Sequence, residues 1–219
     1  MTDASMGYVS VIGDSWLHPI VKLVETLESF NPKGPNEVQA STFENGYSAA
    51  IVTLTVFLVE SILNRTRYVM GVAPPSGKRQ TALNFFRTQF PTSSLVDNLE
   101  ELFVVRDMIA HNHLWEAQIE WGDEGLKFAS EPMHPERPLY GDPKFDKVFD
   151  KGTRKTCLLG INLFPTKICR EDAITVLKCA YEILWFLETI DRNYCYLSIQ
   201  PVEFSGQIMT FSDFVTQLN

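Results

Sequence analysis

The chain contains no C-x-x-C pair. Its four cysteines, Cys157, Cys169, Cys179 and Cys195, are spaced neither for a zinc site nor for a compact disulfide scaffold. The sequence therefore predicts reduced thiols in a cytosolic protein, with Cys179 buried on a helix. Internal repeats and low-complexity tracts are also missing. The opening MTDASMGYVSVIGD has neither a basic start nor a long apolar core, and it does not read as a signal peptide. The longest apolar run, Ala49 to Val59, is interrupted by Thr53 and Thr55. It is too short to span a bilayer and reads as a buried helix, so no membrane partner is expected. Positive charge is scarce: the net charge of -8 argues against a general nucleic-acid coat. A local basic site is still open, because a phosphate meets the local field rather than the total.

Acidic residues are themselves absent from one window. Between Ser61 and Val96 there is no Asp or Glu, while Arg65, Arg67, Lys78, Arg79 and Arg87 all fall there. This is the candidate surface for docking an RNA backbone. A basic loop that balances neighbours such as Glu100 and Glu101 explains the same pattern equally well.

What is present is an ordinary globular composition over 219 residues, enough for one large domain. Chains of this size bury roughly 70% of their unfolded surface and need no staple. The expected fold is mainly α, a four-helix up-and-down bundle with a small β-hairpin and loop insertion before the last long helix. A single domain covers 1–219. Its bundle core lies at about 13–115 and 170–195, the insertion at about 116–165 and a tail at 196–219.

Pro19 suits a first helical turn, and Ile20, Leu23, Val24, Leu27 and Phe30 share one face until Asn31-Pro-Lys-Gly-Pro35 ends the helix. A second helix is predicted from Thr42 to Tyr68, stopping before Gly71, with Ile51, Leu54, Leu58 and Ile62 as its stripe. Its Val, Ile and Thr content makes a strand a competitor. The apolar register running on to Leu63 without a turn signal favours helix. A short helix is expected from Thr81 to Phe90. A long amphipathic one follows from Ser94 to about His113, with Ser94 and Asp97 as its capping start and Leu95, Leu99, Leu102, Phe103, Val105 and Ile109 apolar.

Alternation in Glu116–Trp121 and Leu126–Ser130 around Gly122–Gly125 reads as a hairpin. The proline-broken stretch Glu131 to Arg154 reads as a surface loop, and Thr156 to Leu163 as a third strand. Glu171 to Arg192 is the last long helix, acidic at its start and basic at its end, with Ile174, Leu177, Tyr181 and Leu184 as its stripe. The tail from Tyr194 reads as a short strand, a loop and a helical turn at Phe211 to Leu218.

The chemistry concentrates at Arg106, Asp107, His111 and His113, at the end of the third long helix. Helix packing alone requires no such cluster. Arg106-Asp-Met-Ile-Ala-His111 resembles the R-x4-6-H signature of HEPN domains, in which a polar residue usually follows the Arg. The resemblance spans roughly residues 13–195 and gains weight from a preceding long helix with an internal Glu. HEPN domains are all-α bundles, and many are metal-independent ribonucleases of toxin–antitoxin, CRISPR and phage-defence systems. The resemblance implies an RNA-cleaving homodimer without metal or cofactor, in which Arg106 and His111 do the chemistry and an antitoxin or defence protein is a possible partner. Asp107 takes the polar second position. It also implies products with a 2′,3′-cyclic phosphate and a 5′-hydroxyl.

The residue types fit that chemistry. Histidine titrates near neutrality and can move the 2′-hydroxyl or leaving-group proton. Arginine holds two phosphate oxygens and keeps its charge. Five residues separate Arg106 from His111, about 140° around an ideal helix, so they do not share a face. Convergence needs a reaching Arg, a loosened helix at Ala110, or a second subunit; the resemblance favours the subunit. His113 does share the Arg106 face and is an auxiliary proton carrier candidate.

The competing reading is structural. Arg106 pairs with Glu60 or Glu101 to close the bundle, and His111 caps the helix end. Two departures from the family pattern stand out. His113 occupies the place of a Tyr that is modified in one subgroup, and Asp107 replaces a frequent Asn while repelling phosphate. A metal site through Asp107, His111 and His113 lacks further ligands, and Gly152-Thr-Arg-Lys-Thr lacks the Gly-Lys-Ser/Thr ending of a phosphate loop. The alternatives to the ribonuclease are an inactive binding or partner module on the same bundle, and a purely structural helical protein.

Overall fold

A computed structural model describes residues 15–34, 37, 39–73, 80–111, 115–122, 125–132 and 143–218; for 111, 115–122, 125–132 and 143 the description is of the backbone. The protein is mainly helical. Helix α1 (Leu17–Glu28), α2 (Thr42–Val69), α3 (Ala82–Gln89) and α4 (Leu95–His111) come first. The hairpin β1 (Trp115–Gly122) and β2 (Gly125–Pro132) follows, then α5 (Pro143–Val148), β3 (Phe149–Asp150) and β4 (Lys155–Thr156). Helix α6 (Arg170–Ile190), strands β5 (Pro201–Phe204) and β6 (Gln207–Thr210), and α7 (Phe211–Gln217) complete it.

Helix α2 is the hub: α1, α3, α4 and α6 all pack on it. Ser41 starts it by accepting the Glu44 N–H at 3.2 Å, and Gly71, at φ 66°, follows its end. Ile51, Val52, Val56, Leu58, Val59, Ile62 and Leu63 are all buried. They wrap well past one stripe, and Leu54, expected on the stripe, is only half-buried. Packing on several sides overrides the β preference of its branched residues. By length and composition α2 could cross a membrane, but half of that apolar window is buried inside the fold.

Several expectations are corrected. Helix α4 starts at Leu95, and the hydroxyl that receives the Leu95 N–H is that of Ser93, at 3.3 Å, rather than Ser94. The stretch 131–154 is not all loop: Pro143 opens α5, where a missing N–H costs nothing, and α5 packs on α4. The strand expected over Thr156–Leu163 is reduced to Lys155–Thr156, paired with β3, plus an isolated bridge from Lys155 to Asn162. Two backbone N–H groups, of Leu158 and Leu159, instead turn inward to the Glu101 carboxylate at 2.8 Å each.

Helix α6 ends at Ile190, with Asp191 extended, so Arg192 lies beyond it and no basic residue occupies its last turn. Its buried face keeps Leu177 and Leu184 of the expected stripe but not Ile174 and Tyr181. Ala173, Val176, Leu177, Ala180, Ile183, Leu184 and Leu187 point in, while Ile174 and Tyr181 are half-buried.

The tail holds two strands, not one. They close through Ser205 (φ 51°) and Gly206 (φ 75°), a two-residue turn of positive φ whose geometry matches the right-handed twist of the strands. The first hairpin pairs from Trp115↔Pro132 to Gly122↔Gly125, as the alternation suggests; its central turn residues lie outside the described residues. Residues of the insertion (Val148, Ile161, Leu163) and of the tail (Leu197, Val202, Phe211, Phe214) join the helices in one buried apolar cluster.

Candidate functional site

Two packed helices build the site around Arg106. On α2, Phe57 and Glu60 are three residues apart; on α4, Phe103 and Arg106 are too. That spacing puts each pair on one helix face. Where the helices meet, the guanidinium carbon lies 5.4 Å from the Phe57 ring centre and 5.2 Å from that of Phe103. Both rings attract the cation through their negative faces. Trp16 braces Phe57, with ring centres 5.6 Å apart.

Two carboxylates fix the fork. Arg106 Nη1 donates to Glu60 Oε2 at 2.9 Å, and Nε donates to Asp107 Oδ1 at 2.7 Å. The side chains are 15% (Arg106), 36% (Glu60) and 29% (Asp107) exposed, so the cluster sits at the surface rather than in a sealed interior. The Nη2 amino group of Arg106 has no hydrogen-bond partner among the described residues. One cation meeting two anions leaves the cluster with an excess negative charge. Glu101, the other partner considered for Arg106, turns instead to the Leu158 and Leu159 amides.

His111 is the last residue of α4; its side chain lies outside the described residues, as does the whole of His113. Five residues of helix place its backbone about 7.5 Å along the axis from that of Arg106.

Three arginines of the acid-free window fall among the described residues. Arg65 Nη1 donates to the Asn193 and Tyr194 carbonyls, the second at 3.1 Å, and its guanidinium lies 5.7 Å from the Tyr196 ring centre. Arg67 Nη1 donates to the Gln80 carbonyl at 2.9 Å. Arg87 pairs with Glu100 at 3.0 Å. Each of these three arginines is thus engaged within the chain. Lys78 and Arg79 lie outside the described residues.

Glu100 is shared between Arg87 of α3 and Lys147 of α5, which donates to the same oxygen. Burial pushes its carboxyl up, but the Lys147 hydrogen bond and the Arg87 charge outweigh that and hold it below the usual carboxylate value. Burial pushes the Cys179 thiol up to about 12, with help from Glu182 and Glu101. No group of three or more His, Cys, Asp and Glu that could hold a metal occurs among the described residues.

Sequence reasoning named Glu60 as a partner for Arg106 but missed the two rings that flank it. The i, i+3 spacing of Phe57–Glu60 and Phe103–Arg106 was the available signal. Comparison of the chain with protein-family models, with curated proteins and with solved structures finds no match.

Proposed function

We propose that the chain is a metal-independent endoribonuclease of the HEPN kind, a cytoplasmic homodimer acting on RNA in a toxin or phage-defence setting. In this reading α1, α2, α4 and α6 form the four-helix up-and-down bundle. The observation that carries it is the placement of Arg106. The R-x4-H arginine is oriented by the internal Glu of the preceding long helix and by Asp107, its Nη2 edge is left for a phosphate oxygen, and the motif His closes the same helix. A guanidinium fixed in advance needs little reorganisation when charge grows on the phosphate. His111 moves the proton, and in a dimer a second copy of the motif completes the cleft.

The test is cleavage of mixed single-stranded RNA by the full chain. His111→Ala should lower the rate by roughly 10²–10⁴-fold with unchanged circular dichroism, and the products should end in 2′,3′-cyclic phosphate. Equal rates for the two proteins would remove the ribonuclease reading.

A second reading has its own support: two carboxylates on one guanidinium repel phosphate, which suits an inactive HEPN-like partner or binding module. Dimerisation without cleavage, with Arg106→Ala impairing neither dimer nor fold, would favour it.

A further inference from the structure

The C-terminal end of α6 carries an aromatic face and a cation that none of the foregoing uses. Trp185 is 48% exposed. Its ring is nevertheless held in place. Tyr181, one turn earlier, stacks on it with ring centres 6.3 Å apart and planes 22° apart. Tyr181 is in turn fixed by α7: its hydroxyl lies 2.7 Å from Ser212 Oγ, and its ring meets Phe211 edge-on at 6.0 Å. The indole is therefore pre-positioned, and a ligand that stacks on it has little ordering left to impose.

Beside the indole is an open cleft of about 440 Å³, lined by Trp185, Glu188, Thr189, Ile190, Asp191 and Arg192. Its two acids are occupied. Glu188 accepts the Ser198 N–H at 3.2 Å and the Ser198 hydroxyl at 2.6 Å, and Asp191 Oδ1 accepts the Asn193 N–H at 2.8 Å. Arg192 is exposed, and no hydrogen bond or ion pair engages its guanidinium among the described residues. The cleft thus presents a planar apolar surface and one exposed guanidinium, beside two carboxylates that already hold hydrogen bonds. The indole is the complement of a nucleobase and the guanidinium of the phosphate attached to it, a contact the two carboxylates weaken. Its size suits a single small-molecule unit rather than a folded segment.

The chain just past the cleft is anchored to α2, where Arg65 donates to the Asn193 and Tyr194 carbonyls.

We propose that this cleft binds one nucleotide of single-stranded RNA, with the base stacked on Trp185 and the phosphate held by Arg192. It deepens the ribonuclease reading and rests on it for the identity of the ligand.

The experiment measures binding of the full-length protein to a fluorescent 2′-O-methylated single-stranded oligonucleotide, which has no 2′-hydroxyl to attack with and so separates binding from cleavage. Trp185→Ala should weaken binding roughly tenfold, and Trp185→Phe should keep most of it. Arg192→Gln should weaken binding and lower the salt slope by about one. Wild-type affinity in Trp185→Ala, with matched circular dichroism, would overturn the proposal. So would displacement by an acidic peptide as effective as displacement by unlabelled oligonucleotide. If Trp185→Ala binds normally while His111→Ala cannot cleave, the subsite fails and the nuclease stands. If Trp185→Ala loses binding while His111→Ala cleaves like wild type, the subsite stands and the assigned chemistry fails.

Discussion

Arg106 of α4 and Glu60 of α2 are joined by a 2.9 Å hydrogen bond between Nη1 and Oε2. Both groups keep contact with water, so the pair itself stabilises the fold by only about 0–1 kcal/mol. Arg106→Ala also removes the guanidinium that lies over the Phe57 and Phe103 rings, a further modest loss. The expected result is a small drop in the urea midpoint beside a loss of RNA cleavage of at least about 10²-fold. A large drop in stability with unchanged cleavage would make Arg106 a structural residue only.

Asp107→Asn separates the two jobs of that side chain. Its amide oxygen can still accept from Arg106 Nε, while one negative charge next to the guanidinium disappears. A unit charge about 5 Å from a phosphate in water is worth about 0.8 kcal/mol, or roughly fourfold in affinity. RNA binding should therefore tighten by about that factor at low salt, and the gain should shrink at high salt. An anisotropy titration at two salt concentrations checks it.

The acid limb of stability should depend on Glu100. Its carboxyl titrates below the ordinary value when folded, so the protein gains stability from it above the unfolded value near ~4.3. That gain is lost as pH falls through the lower folded value. Glu100→Gln should cost about 1–3 kcal/mol at pH 7 and flatten the acid fall in urea midpoint that sets in below about pH 5. The comparison is a pH series of urea melts of wild type and variant.

Thiol alkylation should follow burial. Cys157 is exposed, whereas Cys169, Cys179 and Cys195 are buried. At pH 8 Cys157 should react first, though more slowly than a free thiol, because burial and the charges of Glu101 and Asp150 raise its pKa. Cys179, pushed up to about 12, should react only in denaturant. Mass spectrometry of peptides from native and unfolded samples reads both.

Losing the inward-turned carboxylate of α4 should be costly. Glu101→Ala leaves the Leu158 and Leu159 amides without their acceptor, at roughly 1–3 kcal/mol for each group that stays buried. Hydrogen exchange at these two amides should accelerate more than exchange in α2.

The long helices were legible because their signals are local and redundant. The Asn31–Pro35 breaker and Gly71 end α1 and α2 where the sequence said, and alternation located the first hairpin. Helices α3 and α7 were also foreseen, but α5, β3 and β4 were not, for a physical reason. Helix α5 has too few residues for a period to emerge, and the prolines before it argue for loop. Strands β3 and β4 exist only because their backbones find each other. The end of α6 was misplaced because Arg192 suited the helix dipole, whereas Asp191 leaves the helix and uses its carboxylate to turn the chain. At the candidate site, one helix revealed Arg106 and Asp107. The Phe103 ring is local to α4, whereas the Phe57 ring and the choice of Glu60 over Glu101 depend on how α2 and α4 cross.

One guanidinium has a consequence for synthesis. Arg170, at the start of α6, donates from Nη2 to the carbonyls of Leu27 and Phe30 at the far end of α1, both at 2.7 Å. The first helix therefore emerges from the ribosome 140 residues before the group that ties off its last turn. At roughly 5–20 residues per second, the nascent amino-terminal segment waits about 7–30 s with that turn unlatched, a period in which a chaperone or an early partner has its best access.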